Sequence, residues 1–187
     1  RKRDADISFI KVQGIPAEGY ELKITEKNII IRAADRKGFI YALQTLRQLE
    51  DEGMGRRFRC VHISDSPRVP WRGFMLDSGR QYQSVATIKK YIDMASILKM
   101  NVFHWHLTEG LGWRVEIMRY PMLTAHGAFV GKGEEQQGYY SQNEIKEIVG
   151  YASEKGITGV TEIDNPGHSE AALSSYPWLG WFGKEIE

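Results

Sequence analysis

The sequence holds a single cysteine, Cys60, among 187 residues. No disulfide can form within the chain, and cysteine usage leaves the redox compartment open. No apolar run approaches the roughly 20 residues of a membrane-spanning helix. An excess of one charge is also missing: 25 Lys and Arg against 24 Asp and Glu leave a net charge of +1. That balance supplies no field to draw nucleic acid or an anionic membrane surface, so neither is expected as a partner. The one basic cluster, Arg1-Lys2-Arg3, reads as a solvated end. There is no secretory signal pattern and no initial Met, which reads as a processed or cut end and leaves localisation open. Absent too are a Gly-rich phosphate loop ahead of a helix, a nucleophile elbow and a Cys–His signature. No low-complexity segment or short repeat stands out. What is present is an ordinary globular composition, 42% hydrophobic and 26% charged, in a chain long enough to bury a core.

Two grammars divide the chain. Tyr20–Thr25 and Asn28–Ala33 alternate apolar and polar residues around Glu26-Lys27, which predicts a hairpin. Phe39, Ala42, Leu43, Leu46 and Leu49 then recur at helical spacing, with Gly53 beyond the end. This strand–strand–helix unit is expected to close near Arg59, giving a small α+β domain over 1–62. The segment Ser64–Pro70, with two prolines, reads as a connection. From 63 to 187 strands and helices alternate. Strands are expected at Trp71–Asp77, Val102–Leu107 and Ile157–Ile163. Between them lie a helix over about 84–100, marked by Val85, Ile88, Ile92, Ala95 and Leu98, and a second one opened by the capping box Ser141-Gln-Asn-Glu144. Gly156 fits the position just past that second helix. Strand–helix–strand–helix–strand order predicts a parallel sheet with right-handed crossovers.

Each predicted strand ends at or near an acid: Asp77, Glu109 and Asp164. Parallel strands bring their C-terminal ends to one face, which in a (β/α) barrel carries the active site. Acids there orient a ligand, tune a neighbour or act directly; an acid at a strand end also caps a loop or helix. His168 follows the Pro166-Gly167 turn beside the third acid, where a ring held by a carboxylate adjusts a catalytic group. Arg72 opens the first strand with a planar fork suited to paired hydroxyls or a carboxylate. Among five tryptophans, Trp105 is expected in the core because it alternates with His104 and His106, while Trp178 and Trp181 are the surface candidates. His104 and His106 fall on one side of their strand and, with Glu109, outline a metal reading, but no third His or Cys follows at suitable spacing.

The ordered motifs Trp71-Arg-Gly-Phe-Met-Leu-Asp77, Asn101-Val-Phe-His-Trp-His-Leu-Thr108, Gly112-Trp-Arg114, Tyr120-Pro121 and Glu162-Ile-Asp-Asn-Pro-Gly-His168 closely resemble the β-N-acetylhexosaminidases of glycoside hydrolase family 20. The resemblance covers roughly 20–187 and implies a TIM barrel preceded by a small α+β domain. It also implies retaining hydrolysis of terminal N-acetylglucosamine or N-acetylgalactosamine from glycans or chito-oligosaccharides. In that chemistry the substrate's own acetamido oxygen attacks the anomeric carbon. By the same resemblance Arg72 binds ring hydroxyls. Glu109, Asp164 and His168 support the catalytic acid, and Asp77 supports the first strand end. No metal and no organic cofactor is implied, and localisation would be periplasmic, secreted or lysosomal.

Three positions depart from the family pattern. Glu109-Gly110 stands where two acids are usual, Thr161 where proline is common, and Asn165 where methionine is common. The catalytic Asp-Glu pair that the resemblance places on a fourth barrel strand has no counterpart here. Asp51-Glu52 follows a helix of the small domain, and Glu134-Glu135 lies in a long loop. A complete barrel takes about 250 residues. The expectation is therefore a family-20 fragment with three of eight barrel strands, inert alone, and either marginally stable or self-associating through its open edges. Two other readings compete: a non-catalytic carbohydrate-binding module, and a metal-dependent barrel hydrolase using His104 and His106.

Overall fold

Apolar residues spaced two apart put one face of a strand against whatever covers it, and Leu22, Ile24, Ile29 and Ile31 do so around a short turn. A computed structural model of the chain describes residues 6–50, 58–131, 133 and 137–181. These form two compact units, one comprising Arg1–Arg72 with Ser96–Lys99, the other Gly73–Ala95 with Met100–Glu187.

The first unit is a four-stranded sheet with one helix. Its strands are β1 (Asp6–Lys11), β2 (Tyr20–Ile24), β3 (Asn28–Ala33) and β4 (Val61–Asp65), in the order β1-β3-β2-β4; helix α1 spans Arg36–Gln48. β2 and β3 form the expected antiparallel hairpin. Its turn is held by Asn28 N donating to Thr25 Oγ1 at 3.0 Å. Tyr20, Leu22, Ile24, Ile29, Ile31 and Ala33 face Tyr41, Ala42 and Leu46 of α1 and are all buried. The helix starts ahead of the periodic residues because Asp35 caps it, its carboxylate accepting from Gly38 N at 2.9 Å. Gly53, Asp51-Glu52, Glu134-Glu135 and Arg1-Lys2-Arg3 lie outside the described residues.

Two strands of this sheet are additions to the sequence reading. β4 pairs antiparallel with β2, so the sheet continues past Arg59 to Asp65. β1 runs parallel to β3 at the edge with every residue exposed, so no buried face marked it.

The second unit is built on three parallel strands: β5 (Gly73–Asp77), β6 (Val102–His106) and β9 (Thr158–Glu162), in the order β5-β6-β9. Helix α2 (Val85–Ile97) connects the first two. Between β6 and β9 come a two-residue antiparallel pair, β7 (Thr108–Glu109) with β8 (Gly112–Trp113), then α3 (Met122–Ala125) and α4 (Gln142–Glu154). Helix α5 (Glu170–Ser175) follows β9. The core joins Phe103 and Trp105 of β6 to Ile88 and Ile92 of α2 and Ile148 and Ala152 of α4, with Phe74 and Leu76 of β5 packed against them. Trp105 is buried as expected, its indole donating to Ser78 Oγ at 2.8 Å. Strand alternation turns Met75, His104, Val160 and the strand-end residues to the opposite, uncovered face.

Helix α4 matches its sequence signature closely. Ser141 Oγ accepts from Glu144 N at 3.3 Å, while Glu144 Oε2 accepts from Ser141 N at 2.8 Å. Gly156 stands just past the C-cap with φ of +79°, a conformation that costs glycine little. Ile157 N then donates to Ala152 O at 2.9 Å and the chain enters β9. Ser141→Ala removes one arm of the box, and urea denaturation should read a loss of about 1 kcal/mol.

Candidate active site

Register decides which side chains meet at the strand ends. Asp77 of β5 pairs with His106 of β6, and His106 pairs with Glu162 of β9. The three occupy one row across the sheet and project to the face opposite the helices, His106 being buried there. Glu109, in the short β7 that follows β6, and Asp164 and His168, in the segment after β9, rise beyond that row. Asp164 is tethered there by its backbone N–H donating to Thr108 Oγ1 at 2.9 Å.

Glu109 is the centre of the group. Its side chain is 8% exposed, and a carboxylate so buried needs cations around it. Arg80 Nη2 lies 2.5 Å from Oε1. His168 Nδ1 lies 2.7 Å from Oε2, an ion-pair distance that is out of line for a hydrogen bond. His168 Nε2 is 4.0 Å from Asp164 Oδ2. The histidine thus stands between two acids. Its backbone sits at φ +51°, the left-handed region that a non-glycine residue occupies at some cost, and such outliers cluster at functional sites.

Asp77 reaches the site through Arg80. Asp77 Oδ1 accepts from Arg80 N at 2.9 Å, and Oδ2 pairs with Arg80 Nη1. Gly79, between them, lets the turn lie flat on β7: a Cβ there would stand 2.8 Å from Glu109 Cβ. Sequence reasoning missed Arg80, although an acid at a strand end with Arg three residues on was its signal.

Arg72 does not join this group, and the expectation for it is corrected. It directly precedes Gly73, the N-terminal end of β5, whereas Asp77 closes the other end. Its fork is committed within the first unit: Nη2 to Glu18 Oε2 at 2.6 Å and Tyr41 Oη at 2.9 Å, Nη1 to Val69 O at 2.7 Å, and Nε to Lys99 O at 2.9 Å. Burial and the neighbouring Glu18 push the Tyr41 hydroxyl up to about 12, so it stays a neutral partner in this cluster.

His104 and His106 lie on one side of β6, but what they share is Glu162. His106 Nδ1 is 2.7 Å from Glu162 Oε1, and His104 Nε2 contacts Oε2. Hydrogen bonding to His106, then to His104, holds the Glu162 carboxyl below its ordinary range. Among the described residues no cluster of three or more His, Cys, Asp or Glu is arranged to hold a metal ion. Glu162 was quoted in a motif but not assigned; its signal was an acid two residues before Asp164 on the same strand.

A cleft of about 450 Å³ opens beside Glu109 and His168, lined also by Leu111, Val130, Glu170 and Ser174. Gly110 contributes no side chain to it. The carboxylate of Glu170, first residue of α5, stands 2.7 Å from where a Cβ at 110 would be, so an acid is present over the position where the sequence lacks one. A second hollow of about 530 Å³ lies past Asp164, between Trp113, Pro166, Leu173 and Trp181. Trp178 and Trp181 are 63% and 95% exposed, in keeping with a surface placement.

Two family models match the chain: glycosyl hydrolase family 20, domain 2, over residues 1–66, and glycosyl hydrolase family 20, catalytic domain, over residues 69–185. A β-hexosaminidase of Porphyromonas gingivalis is 42% identical over 180 residues, which are 91% of this chain and 23% of that protein. The crystal structure of a β-N-acetylhexosaminidase from Bacteroides fragilis superposes with a TM-score of 0.93 at 64% identity, covering 96% of this chain and 37% of that one. A Streptomyces plicatus β-hexosaminidase in complex with its product GlcNAc gives a TM-score of 0.91 at 34% identity, over 100% of this chain and 39% of that one. The chain spans well under half the length of each of these relatives.

One buried side chain secures the turn that carries Arg80. Arg114, 0% exposed, donates from Nε to Ser78 O at 2.9 Å, from Nη2 to Gly79 O at 3.0 Å, and from Nη1 to Ala128 O and Gly138 O at 2.8 and 2.9 Å. Burial lowers its proton affinity, yet a guanidinium stays charged in proteins. Arg114→Met keeps much of the volume but strands three carbonyls, since Ala128 O still accepts from Gly138 N at 3.2 Å. Urea denaturation should show a loss of about 3 kcal/mol or more, since each unmet buried acceptor costs roughly 1–3 kcal/mol.

Proposed function

The chain belongs to glycosyl hydrolase family 20, and on that premise we propose that it is part of a retaining β-N-acetylhexosaminidase. The substrates are glycans or chito-oligosaccharides ending in N-acetylglucosamine or N-acetylgalactosamine. We read the second unit as the first three strands of a (β/α)8 barrel and the first unit as the small domain that precedes it. The observation that carries the reading is the convergence of Asp77, Arg80, Glu109, Asp164 and His168 beyond one end of a parallel sheet. That is where barrel enzymes do their chemistry.

In this reading the acetamido oxygen of the bound sugar attacks its own anomeric carbon, and an acid protonates the departing oxygen. The acid is one of an Asp-Glu pair on the fourth strand, outside the 187 residues. Those residues supply its supporting half. Glu109 and Asp164 hold His168 between them, and this acid–histidine–acid group is the support offered to the acid. The hydroxyl-binding role expected of Arg72 passes to Arg80. Its two terminal nitrogens engage Asp77 and Glu109, and each keeps a second N–H for a sugar hydroxyl. Asp77 and Glu109 aim the fork.

Full-length protein should hydrolyse an aryl N-acetyl-β-glucosaminide and leave the matching glucoside, which lacks the acetamido nucleophile, at background. The 187-residue chain alone should be inert, and turnover by it near the full-length rate would refute the assignment of the acid. Arg80→Ala should lower kcat/KM by about 10- to 100-fold, the loss of one or two charged hydrogen bonds. Arg72→Ala should lower the melting temperature and leave kcat/KM unchanged.

A further inference from the structure

We propose that Glu162 and His106 are positioning residues that govern how Glu109 grips His168; this rests on reading Glu109 and His168 as the supporting half of the site. The geometry begins with Glu162. Both its oxygens are committed, Oε1 to His106 Nδ1 at 2.7 Å and Oε2 to His104. A carboxylate only accepts, so the His106 proton sits on Nδ1. The other ring nitrogen, Nε2, then looks at Glu109 Oε2 across 4.0 Å.

That gap is the telling feature. The two side chains are 6% and 8% exposed. Among the described residues, the buried side-chain polar atoms without a hydrogen-bond partner are His106 Nε2 and Glu109 Oε2. They face each other. Four ångströms is too long for a hydrogen bond and too short for a bridging water. With Nδ1 already protonated, a neutral His106 points a lone pair at an anion, whereas the imidazolium places an N–H there. His106 therefore offers Glu109 a hydrogen bond only with an N–H on Nε2.

Glu109 Oε2 is also the oxygen that faces His168 Nδ1 at 2.7 Å, so the two histidines compete for it. The other charged groups around the pair are fixed by different partners. Arg80 takes Glu109 Oε1, Asp77 takes Arg80, Asp164 faces the far side of His168, and His104 takes Glu162. Glu170 stands over Gly110. Glu162, by orienting the His106 ring, sets Nε2 against the same Glu109 oxygen that faces His168.

Glu162→Gln preserves the shape and the acceptor oxygen but removes the charge. In full-length protein with 15N-labelled histidine rings, NMR titration should show the His106 midpoint falling, because a neighbouring negative charge is lost. The His168 midpoint should rise, because Glu109 is left to it alone. Simple loss of a nearby anion would lower both, so two falling midpoints, or an unmoved His168, would overturn the proposal. His106→Gln should raise the His168 midpoint likewise. In the hydrolysis assay Glu162→Gln should lower kcat about tenfold with KM unchanged, in line with the weight of outer-shell partners. Wild-type protein that fails to cleave N-acetylhexosaminides would remove the function while the opposed midpoint shifts still held. Active wild type with unchanged kcat in both variants would remove the positioning role.

Discussion

The second unit depends on a cation held by carbonyls. Arg114 is wholly buried, and its guanidinium gathers main-chain oxygens from the turn after β5 and from residues 128 and 138. Its backbone is tied on both sides as well, its N–H to Leu107 O and its carbonyl to Tyr140 N. Five donors in a rigid plane suit this task, because one guanidinium meets carbonyls from separate loops at once. With the turn fixed, Arg80 is aimed, and Glu109 has the cation its burial demands.

Around Glu109 the site alternates acids and bases. His104, Glu162, His106, Glu109, His168 and Asp164 form a sequence in which each member faces partners of the opposite kind. Such an arrangement orders rings and carboxylates mutually, and low local polarity strengthens every link. Whatever enters the cleft beside Glu109 and His168 meets groups whose orientation was settled by folding.

Local signals in the sequence reported local structure faithfully. The Ser141–Glu144 box, the Gly156 stop, the Glu26-Lys27 hairpin turn and the alternation around Trp105 each involve neighbours in the chain, and each is found as expected. What stayed hidden is what depends on register between distant segments. β1 pairs with β3 without burying a side chain, so its pattern carried no trace of it. Arg72 and Arg80 bracket the same strand, and strand direction alone sets Arg72 at the end away from the acids; what stayed hidden is its pairing with Glu18, which spans 54 residues. Glu162 meets His106 only because β9 aligns with β6 in one particular register.

That alignment makes length inside the strands far less negotiable than length in the loops that join them. Asp77, His106 and Glu162 share a row only while β5, β6 and β9 keep step. One extra residue within β6 would turn Trp105 out to the open side and drive His104 and His106 into the helical layer, since strand faces exchange with each single step. A residue added to a connection leaves that row in step, whereas one added within β6 breaks it and separates the acids from their histidines.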